Sequence, residues 1–315
     1  MPDDGLVSVI MNGHNAEAYL VEALQSVLDQ TYTNWEVIFW DNNSSDLTGK
    51  IVAGFYDDRI KYFYSDCYST LGEARNRALS KTSGDFIAFL DCDDIWLPEK
   101  LHKQIKLFNR DQDVGLVYSD CIYFNSDGDQ ARLFNLKQPY RGLCYSEMLN
   151  EYCMSLESVV IRKECLSDFD VCFDPDYEVI EEYDFFVRIS EKWKVDYVEE
   201  ALSKWRMHEA SWTWSKPELF ISETKLMLTK IEMRADLMEK FPDAVRTFRS
   251  IVHHSEVMYL WRNKQTKYAR TVILRHKISI RSIALFFATF VPYTWVSYLR
   301  SKFSIREISP KGMGG

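Results

Sequence analysis

The strongest chemical signal in this sequence is a short acidic segment that follows a run of apolar residues. Residues 86–90 (FIAFL) are apolar, and Asp91, Cys92, Asp93 and Asp94 follow them directly. A short apolar run bounded by polar residues is typical of a strand buried on both faces, and ligands of open α/β sheets bind at strand ends. Adjacent carboxylates repel each other unless a cation lies between them. Taken alone, the segment is compatible with a divalent-cation site or with a solvated acidic turn in which Asp94 caps the next helix.

Strand-like and helix-like patterns alternate along the first 120 residues and would position this segment. The predicted strands are residues 6–11, 35–40, 59–64, 86–90 and 114–119. Intervening helices are predicted at residues 20–28, 71–79 and 98–110, and a further helix capped by Asp46 runs through Ile51 and Phe55. Such alternation is typical of a doubly wound α/β fold with parallel strands.

Polar residues follow three of these predicted strands. Asn12 and His14 follow the first strand, Asp41 follows the second, and Asp91 and Asp93 follow the fourth. Because the carboxyl ends of parallel strands meet at one edge of a sheet, we expect these side chains to form one site. The sequence contains neither the glycine-rich dinucleotide fingerprint nor a P-loop, so phosphates would be held by a metal and by side chains.

The second half of the chain adds another acidic cluster and a histidine. Residues 180–189 predict a helix whose first turn contains Glu181, Glu182 and Asp184. The helix dipole stabilises carboxylates at this position, and a carboxylate is also a suitable general base. Further strands are predicted at residues 156–162, 195–198 and 202–206. The last of them leads to His208, and the chain reads as helical from residue 216 onward.

Charge is distributed unevenly over the 315 residues, whose formal net charge is −9. From Arg262 onward there are eleven basic residues and one acidic residue, Glu307, which leaves 27 basic and 46 acidic residues and a net charge of −19 in residues 1–261. The strongly negative net charge of residues 1–261 argues against nucleic acid as a partner. The seven cysteines contain no CxxC pair and the first four residues (MPDD) are unlike a signal peptide, which predicts free thiols and a cytoplasmic location.

An uncharged stretch near the C-terminus indicates a membrane-associated tail. Residues 282–299 carry no charge, contain Pro292 and are flanked by arginines and lysines. Eighteen residues are at the lower limit for a membrane-spanning helix, whereas aromatic residues with flanking cations suit the membrane interface. The pattern favours peripheral membrane contact through residues 262–311, with a buried helix pair and a true span as the alternatives.

Five ordered sequence blocks resemble the inverting family 2 glycosyltransferases, which have the GT-A fold. The blocks are residues 7–20 (VSVIMNGHNAEAYL), 26–32 (SVLDQTY), 41–46 (DNNSSD), 74–76 (ARN) and 89–94 (FLDCDD), the last containing a DxD motif. The resemblance implies a Rossmann-like α/β sheet, the nucleotide-diphospho-sugar transferase fold, with a helical C-terminal extension. It divides the chain into a GT-A domain at 1–215, with a nucleotide-binding half at 1–124 and an acceptor half at 125–215, and a helical region with a basic tail at 216–315.

The resemblance also assigns roles in donor binding. It implies that Asp41 binds the nucleotide base and that Asn12 and His14 lie near the base and ribose. Arg75 would contact the nucleotide, and Asp91 would face the ribose. The family usually has Pro and Tyr where this chain has Asn12 and His14, and Asn42 replaces a frequent second Asp, which leaves the identity of the base open.

The same resemblance implies the metal ligands, the general base and the reaction. Asp93 and His208 would hold Mg²⁺ or Mn²⁺ on the diphosphate, and Glu182 would be the general base at a position where the family carries Asp, with Glu181 and Asp184 as alternatives. The implied reaction moves a sugar from a nucleotide-diphosphate sugar, with UDP as the expected nucleotide, to a hydroxyl of a carbohydrate or lipid-linked acceptor. The expected process is cell-surface polysaccharide or glycolipid synthesis. The tryptophans at 212 and 214 are candidates for stacking on a sugar or for simple packing.

Two other classes of protein are less compatible with the sequence. A sugar-phosphate nucleotidyltransferase would need a glycine-rich loop with a basic residue after the first strand, and residues 12–15 (NGHN) are not such a loop. A non-catalytic carbohydrate-binding module would be expected to lack the acidic residues at positions 41, 91, 93 and 182, and all four are present.

Overall fold

The computed structural model describes residues 5–208, 216–275 and 280–295. The chain divides into two units, Met1–His208 and Glu209–Gly315. The predicted domain boundary at residue 215, the tryptophans at 212 and 214, and residues 296–311 of the predicted membrane contact lie outside the described residues.

Four parallel strands form the first half of the sheet, as the sequence predicts. They are β1 (Val7–Gly13), β2 (Trp35–Asp41), β3 (Ile60–Tyr64) and β4 (Phe86–Phe89), in the spatial order β3-β2-β1-β4. The helices between them are α1 (Leu20–Leu28), α2 (Thr48–Ala53) and α3 (Leu71–Leu79). Residues 7–10 and 86–89 of the central strands are buried, which explains their continuous apolar runs.

The sheet continues beyond β4 with strands of mixed direction. The remaining elements of this unit are β5 (Ile95–Trp96), α4 (Lys100–Phe108), β6 (Val114–Asn125), β7 (Gly128–Arg132), α5 (Tyr145–Asn150), β8 (Val160–Arg162), α6 (Glu181–Ser190) and β9 (Lys194–Arg206). The order continues β4-β8-β6-β9-β5, with β7 paired to β6. Since β8 is antiparallel to both β4 and β6, β6 runs in the same direction as the first four strands.

The predicted strand at residues 156–162 is wrong in its first half. Leu156–Ser158 is a 3-10 helix, and only β8 is extended. The backbone carbonyls of this turn are bound by side chains: Trp96 Nε1 donates to the Glu157 carbonyl (2.8 Å) and Gln104 Nε2 donates to the Ser158 carbonyl (2.7 Å). The two strands predicted at 195–198 and 202–206 are one strand, β9, in which Glu199 and Glu200 interrupt the pairing with β6.

The apolar core of this unit lies between the sheet and its helices. In α1, Leu20, Ala23, Leu24 and Val27 are buried at the spacing of one helical face, whereas Val21 is 53% exposed. These residues pack in one cluster with β1, β2, β4 and α4. The core therefore fixes the positions at which the strands end.

The second unit is helical, as predicted. Its helices are α7 (Pro217–Glu232), α8 (Ala235–Lys240), α9 (Pro242–Arg262), α10 (Thr266–Arg275) and α11 (Ile280–Ala288). Val257, Ala269 and Ile273 form a small buried cluster, on which Leu285 and Phe286 pack. Among residues 5–208, 216–275 and 280–295, no helix combines the length and apolar character needed to cross a bilayer.

Candidate active site

The ends of β1, β2 and β4 meet at one edge of the sheet. Gly13 at the end of β1 is paired with Asp41 at the end of β2, and Ile10 of β1 is paired with Phe89 of β4. The Cys92 thiol donates to the Asn12 carbonyl oxygen (3.1 Å), which links the end of β1 to the acidic segment. The predicted convergence of these strand ends is therefore present in the fold.

Asp41 is buried and both of its carboxylate oxygens accept hydrogen bonds. Oδ1 accepts from the Ser44 backbone N–H (2.8 Å), and Oδ2 accepts from the Tyr62 hydroxyl (2.6 Å). Burial raises the pKa of Tyr62, and the bond to Asp41 raises it further. Each carboxylate oxygen has a second lone pair, so Asp41 can still accept a hydrogen bond from a ligand N–H.

His14 is held by the loop that follows β2. Its Nδ1 is 2.9 Å from the Asn42 carbonyl oxygen, which can only accept, so the ring hydrogen on Nδ1 is donated to that carbonyl. The ring also lies edge-on to Tyr68, at 4.8 Å between centroids, and the Tyr68 side chain is half exposed. His14 thus joins the ends of β1 and β2 and contacts an aromatic residue that the sequence analysis missed.

Asn12 is the polar side chain at this edge whose hydrogen-bonding capacity is unused within the described part of the chain. Both its Nδ2 and its Oδ1 are buried and have no partner among the described residues. A buried amide without partners costs free energy comparable to a lost hydrogen bond. Such a group is commonly satisfied by a ligand or by water.

Arg75 is a buried cation that connects three separate segments. It lies on α3 with only 2% of its side chain exposed. One terminal nitrogen, Nη2, donates to Asp91 Oδ1 (3.0 Å), and the other, Nη1, donates to Glu181 Oε1 at the start of α6. Burial raises the pKa of Asp91, Arg75 lowers it and the neighbouring Asp93 raises it again. The contact of Arg75 with the nucleotide stays a prediction.

The three carboxylates at the start of α6 have different partners. Glu181 is paired with Arg75, and Asp184 is paired with Arg188 at 2.7 Å. Glu182 instead accepts from the Tyr152 hydroxyl (3.3 Å). Burial raises the pKa of Glu182 well above its ordinary value; Arg75 opposes this rise, and the carboxylates of Glu181 and Asp91 add to it. The role of Glu182 as general base stays a prediction.

Asp93 and His208 come together although they are 115 residues apart. Asp93 Oδ2 and His208 Nε2 are separated by 2.8 Å, and the two side chains are 37% and 21% exposed. Within residues 5–208, 216–275 and 280–295, no group of three or more His, Cys, Asp or Glu side chains could hold a metal ion. One carboxylate oxygen and one imidazole nitrogen nevertheless fit a cation that takes its remaining ligands from a diphosphate and water.

Asp94 does not cap the following helix. It is 1% exposed, and its Oδ1 accepts from the Arg206 backbone N–H at the end of β9 (2.8 Å). The helix α4 begins later, at Lys100, after Glu99. Because Asp94 is buried and bonded to β9, the interpretation in which Asp94 caps the next helix is wrong.

Two site residues carried no readable signal in the sequence. Tyr152 falls in the turn-rich stretch at 125–155, where no periodic pattern predicts a position. Arg206 stands two residues before His208, but a basic residue at the end of a strand is ordinary. Both were missed because their partners, Glu182 and Asp93, are distant in sequence.

Comparison with known proteins identifies relatives of this chain. The model of the family described as glycosyl transferase family 2 matches residues 8–172. The chain is 35% identical over 171 residues to the UDP-Glc:alpha-D-GlcNAc-diphosphoundecaprenol beta-1,3-glucosyltransferase WfgD of Escherichia coli, an alignment covering 54% of this chain and 66% of WfgD. It is 34% identical over 161 residues to the putative teichuronic acid biosynthesis glycosyltransferase TuaG of Bacillus subtilis, covering 50% of this chain and 63% of TuaG. The chain thus spans somewhat less than two thirds of the length of each of these relatives.

Solved structures share the fold. Residues 1–349 of S. aureus TarS in complex with UDP match with a TM-score of 0.61 and 21% identity, over 90% of this chain and 80% of that one. The mannosyltransferase PcManGT from Pyrobaculum calidifontis, in complex with GDP-Man and Mn²⁺, matches with a TM-score of 0.64 and 16% identity, over 95% and 82%. These similarities confirm the GT-A fold predicted from the sequence.

The buried Arg75 gives a direct prediction about stability. Replacing Arg75 with Met leaves the buried Glu181 and the partly exposed Asp91 without their cation, and breaking a buried ion pair typically costs about 3–5 kcal/mol. We expect the Tm in a calorimetric scan to fall by roughly 6–20 °C. Arg77→Met, an exposed arginine on the same helix, is the control and should shift Tm by no more than about 2 °C. Equal shifts for the two variants would show that the Arg75 pairing does not stabilise the fold.

Proposed function

The chain belongs to glycosyl transferase family 2, and we propose that it moves a sugar from a nucleotide-diphosphate sugar to an acceptor hydroxyl with inversion at the anomeric carbon. The observation that carries the proposal is the arrangement around Arg75. This cation ties the DxD segment, through Asp91, to the start of α6, where Glu182 has a raised pKa. A single-displacement transfer needs a donor-diphosphate site and a base within one structure, and this arrangement supplies candidates for both.

For the donor, we propose a UDP-linked sugar. Asp41 can accept a hydrogen bond from the N3–H of uracil, and the unpartnered amide of Asn12 can pair with a base or ribose. His14, Arg75 and Asp91 remain our other candidates for donor binding. An Asp acceptor does not by itself distinguish uracil from guanine, and the relatives support the choice: the name of WfgD specifies UDP-Glc, and TarS was solved with UDP.

For the metal, we propose Mg²⁺ or Mn²⁺ held by Asp93 and His208. Their oxygen and nitrogen atoms lie 2.8 Å apart, and both side chains are partly exposed, which leaves room for ligands from the substrate. When bound, such an ion supplies Lewis-acid stabilisation of the leaving diphosphate. The solved structure of PcManGT contains Mn²⁺ with its GDP-Man.

For the chemistry, we propose Glu182 as the general base. Its carboxylate takes the proton of the acceptor hydroxyl while the hydroxyl oxygen forms a bond to the anomeric carbon. The bond from that carbon to the diphosphate oxygen breaks at the same time, and its electron pair leaves with the nucleotide diphosphate. No covalent enzyme intermediate is needed. The Tyr152 hydroxyl, which donates to Glu182, favours the ionised carboxylate and so keeps the base available.

For the acceptor, we propose a lipid-linked carbohydrate in cell-surface polysaccharide or glycolipid synthesis, at the cytoplasmic face of a membrane. The name of WfgD contains a diphosphoundecaprenol-linked acceptor. In the second unit, exposed apolar side chains lie in a segment without acidic residues between 263 and 306; they include Leu274, Ile283, Phe287 and Trp295. Exposed aromatic residues with neighbouring cations suit an anionic membrane surface, which supports peripheral contact through residues 262–311.

Metal-dependent nucleotide binding tests the donor site. We expect UDP with Mn²⁺ to raise the Tm of the purified protein, because a ligand that binds only the native state stabilises it by mass action. The shift should be smaller without metal and should disappear in Asp93→Asn. Asp58→Asn, an exposed carboxylate on another part of this unit, is the control that keeps the full shift. If no nucleoside diphosphate shifts the Tm of folded protein, a non-catalytic binding module becomes the better account.

The raised pKa of Glu182 predicts the pH dependence of turnover. The base works only when ionised, so kcat/KM should rise with pH, with a midpoint above the ordinary Glu value of about 4.3. Glu182→Gln should lower kcat by about 10²–10⁴-fold, whereas Glu182→Asp should retain part of the rate. Glu151→Gln, the acceptor of the neighbouring Tyr140 hydroxyl, is a matched control that should leave the rate unchanged. A Glu182→Gln enzyme with the wild-type rate would rule out this base.

Vesicle binding tests the membrane contact. Wild-type protein should sediment with phosphatidylcholine vesicles that contain phosphatidylglycerol and much less with pure phosphatidylcholine, and added salt should release it. Phe287→Ser, which removes a side chain that is 66% exposed, should weaken binding by about tenfold or more. Met233→Ser, at 81% exposure between α7 and α8, should have no effect. Equal sedimentation with neutral and anionic vesicles would contradict the electrostatic part of the proposal.

A further inference from the structure

Arg206, the last residue of β9, makes contacts on every side of its guanidinium group. Its Nε donates to the backbone carbonyl of Asp93 (2.7 Å), and its Nη2 pairs with the exposed Glu22 of α1 (2.5 Å). The guanidinium carbon lies 4.3 Å from the centre of the Tyr19 ring and 4.6 Å from that of Phe124. The side chain is therefore fixed between two aromatic rings and two acceptors.

The backbone of Arg206 makes the reciprocal contact. Its N–H donates to Asp94 Oδ1 (2.8 Å), so the same residue bonds to the acidic segment through both its main chain and its side chain. Asp94 is nearly fully buried and cannot turn away to solvent. The carbonyl of Asp93 and the carboxylate of Asp94 are consequently both attached to the end of β9.

This attachment determines where His208 lies. His208 follows Arg206 by two residues, and its Nε2 meets Asp93 Oδ2 at 2.8 Å. The His208 ring also lies 5.5 Å from the Tyr19 ring, which is the ring that contacts Arg206. Asp93 and His208 come from segments 115 residues apart, so their separation depends on whatever joins the two segments. The pairing of β5 with β9, Ile95 with Lys204 and Trp96 with Ser203, joins the two segments, and the bonds of Arg206 to Asp93 and Asp94 extend this connection to the end of β9.

We propose that Arg206 is a positioning residue that holds Asp93 and His208 at the separation needed to bind a divalent cation together with a nucleoside diphosphate. The inference rests on the proposed function of these two residues but concerns a different residue, to which the proposed function assigns no role. A planar guanidinium can stack between two rings while it donates to two different acceptors. The compact ammonium of lysine cannot keep all of these contacts, so Arg206→Lys should be only a partial substitute.

The chain offers a closely matched control. Lys204 precedes Arg206 by two residues on β9, pairs with the exposed Asp129 at 2.8 Å and also lies over the Phe124 ring, at 5.7 Å. It shares the strand, the charge and the aromatic neighbour of Arg206, but within the described residues its side chain makes no hydrogen bond to Asp93 or Asp94. Lys204→Met thus removes a cation from β9 and keeps the bonds of Arg206 to Asp93 and Asp94.

The experiment measures UDP affinity by calorimetric titration, with Mn²⁺ and with EDTA, for the wild type and for Arg206→Met, Arg206→Lys and Lys204→Met. Loss of the Asp93 contact should weaken UDP binding in Mn²⁺ by about tenfold or more in Arg206→Met, with an intermediate loss in Arg206→Lys. Binding in EDTA should change little. Lys204→Met should match the wild type in both conditions. The informative quantity is the ratio of the UDP affinity in Mn²⁺ to the UDP affinity in EDTA, because general damage to the fold would lower both affinities.

Three results would overturn the inference. The first is an Arg206→Met variant that binds UDP with the wild-type Mn²⁺ dependence. The second is a Lys204→Met variant that loses as much UDP affinity as Arg206→Met. The third is an Arg206→Met variant with an unchanged Tm whose UDP affinities in Mn²⁺ and in EDTA fall together. Glu22→Gln keeps the bonds of Arg206 to Asp93 and Asp94 and removes only the charge at the outer contact, so it should bind UDP normally. If Arg206→Met proves too unstable to titrate, Arg206→Lys is compared with Glu22→Gln instead. Wild-type protein without any Mn²⁺-dependent UDP binding would instead overturn the proposed function, and this inference with it.

Discussion

The arrangement of this site depends on one buried cation. Arg75 is almost completely enclosed and donates to Asp91, in the next segment of the sheet, and to Glu181, which is 106 residues away in sequence. Without Arg75, the buried Glu181 and the partly exposed Asp91 would lose their cationic partner, which is unfavourable because desolvation of a charge without its counter-charge is costly. The position of Arg75 therefore fixes the acidic segment and the start of α6 relative to each other. Asp93 and Glu182 follow the two paired carboxylates by two residues and by one residue, so they take their places from the same contact.

A single cation does not balance the carboxylates around it. Burial raises the pKa values of Asp91, Asp94, Glu157 and Glu182, and the neighbouring acids add to each of these shifts. A site that only stabilised the fold would be expected to contain apolar residues or matched ion pairs instead. Carboxyl groups with raised proton affinity are suited to a general base, and the partly exposed Asp93 beside them is suited to a bound divalent cation, the two features on which the proposed transfer depends.

The elements of the first unit were largely predictable, and the exceptions have a physical cause. The four parallel strands and their helices follow from apolar runs and helical spacing, which report on burial of each residue within its own segment. The apolar run at residues 159–161 indicates a strand, but the preceding turn at Leu156–Ser158 is a 3-10 helix whose carbonyls are bound by Trp96 and Gln104. A pattern in one segment contains no information about side chains that reach it from another, so this error could not have been avoided from periodicity.

The sequence by itself determined the fold class, the family and the presence of acidic residues at the strand ends, because these depend on local pattern and on motifs that are contiguous in the chain. Tertiary structure decided how those residues are used. It gave Glu181 a cation and Glu182 a hydroxyl partner, buried Asp94 against β9, brought His208 to Asp93, and bonded Arg206 to the carbonyl of Asp93. Each of these outcomes is a contact between residues distant in sequence, and only the packing of the sheet and its helices sets which of them can meet.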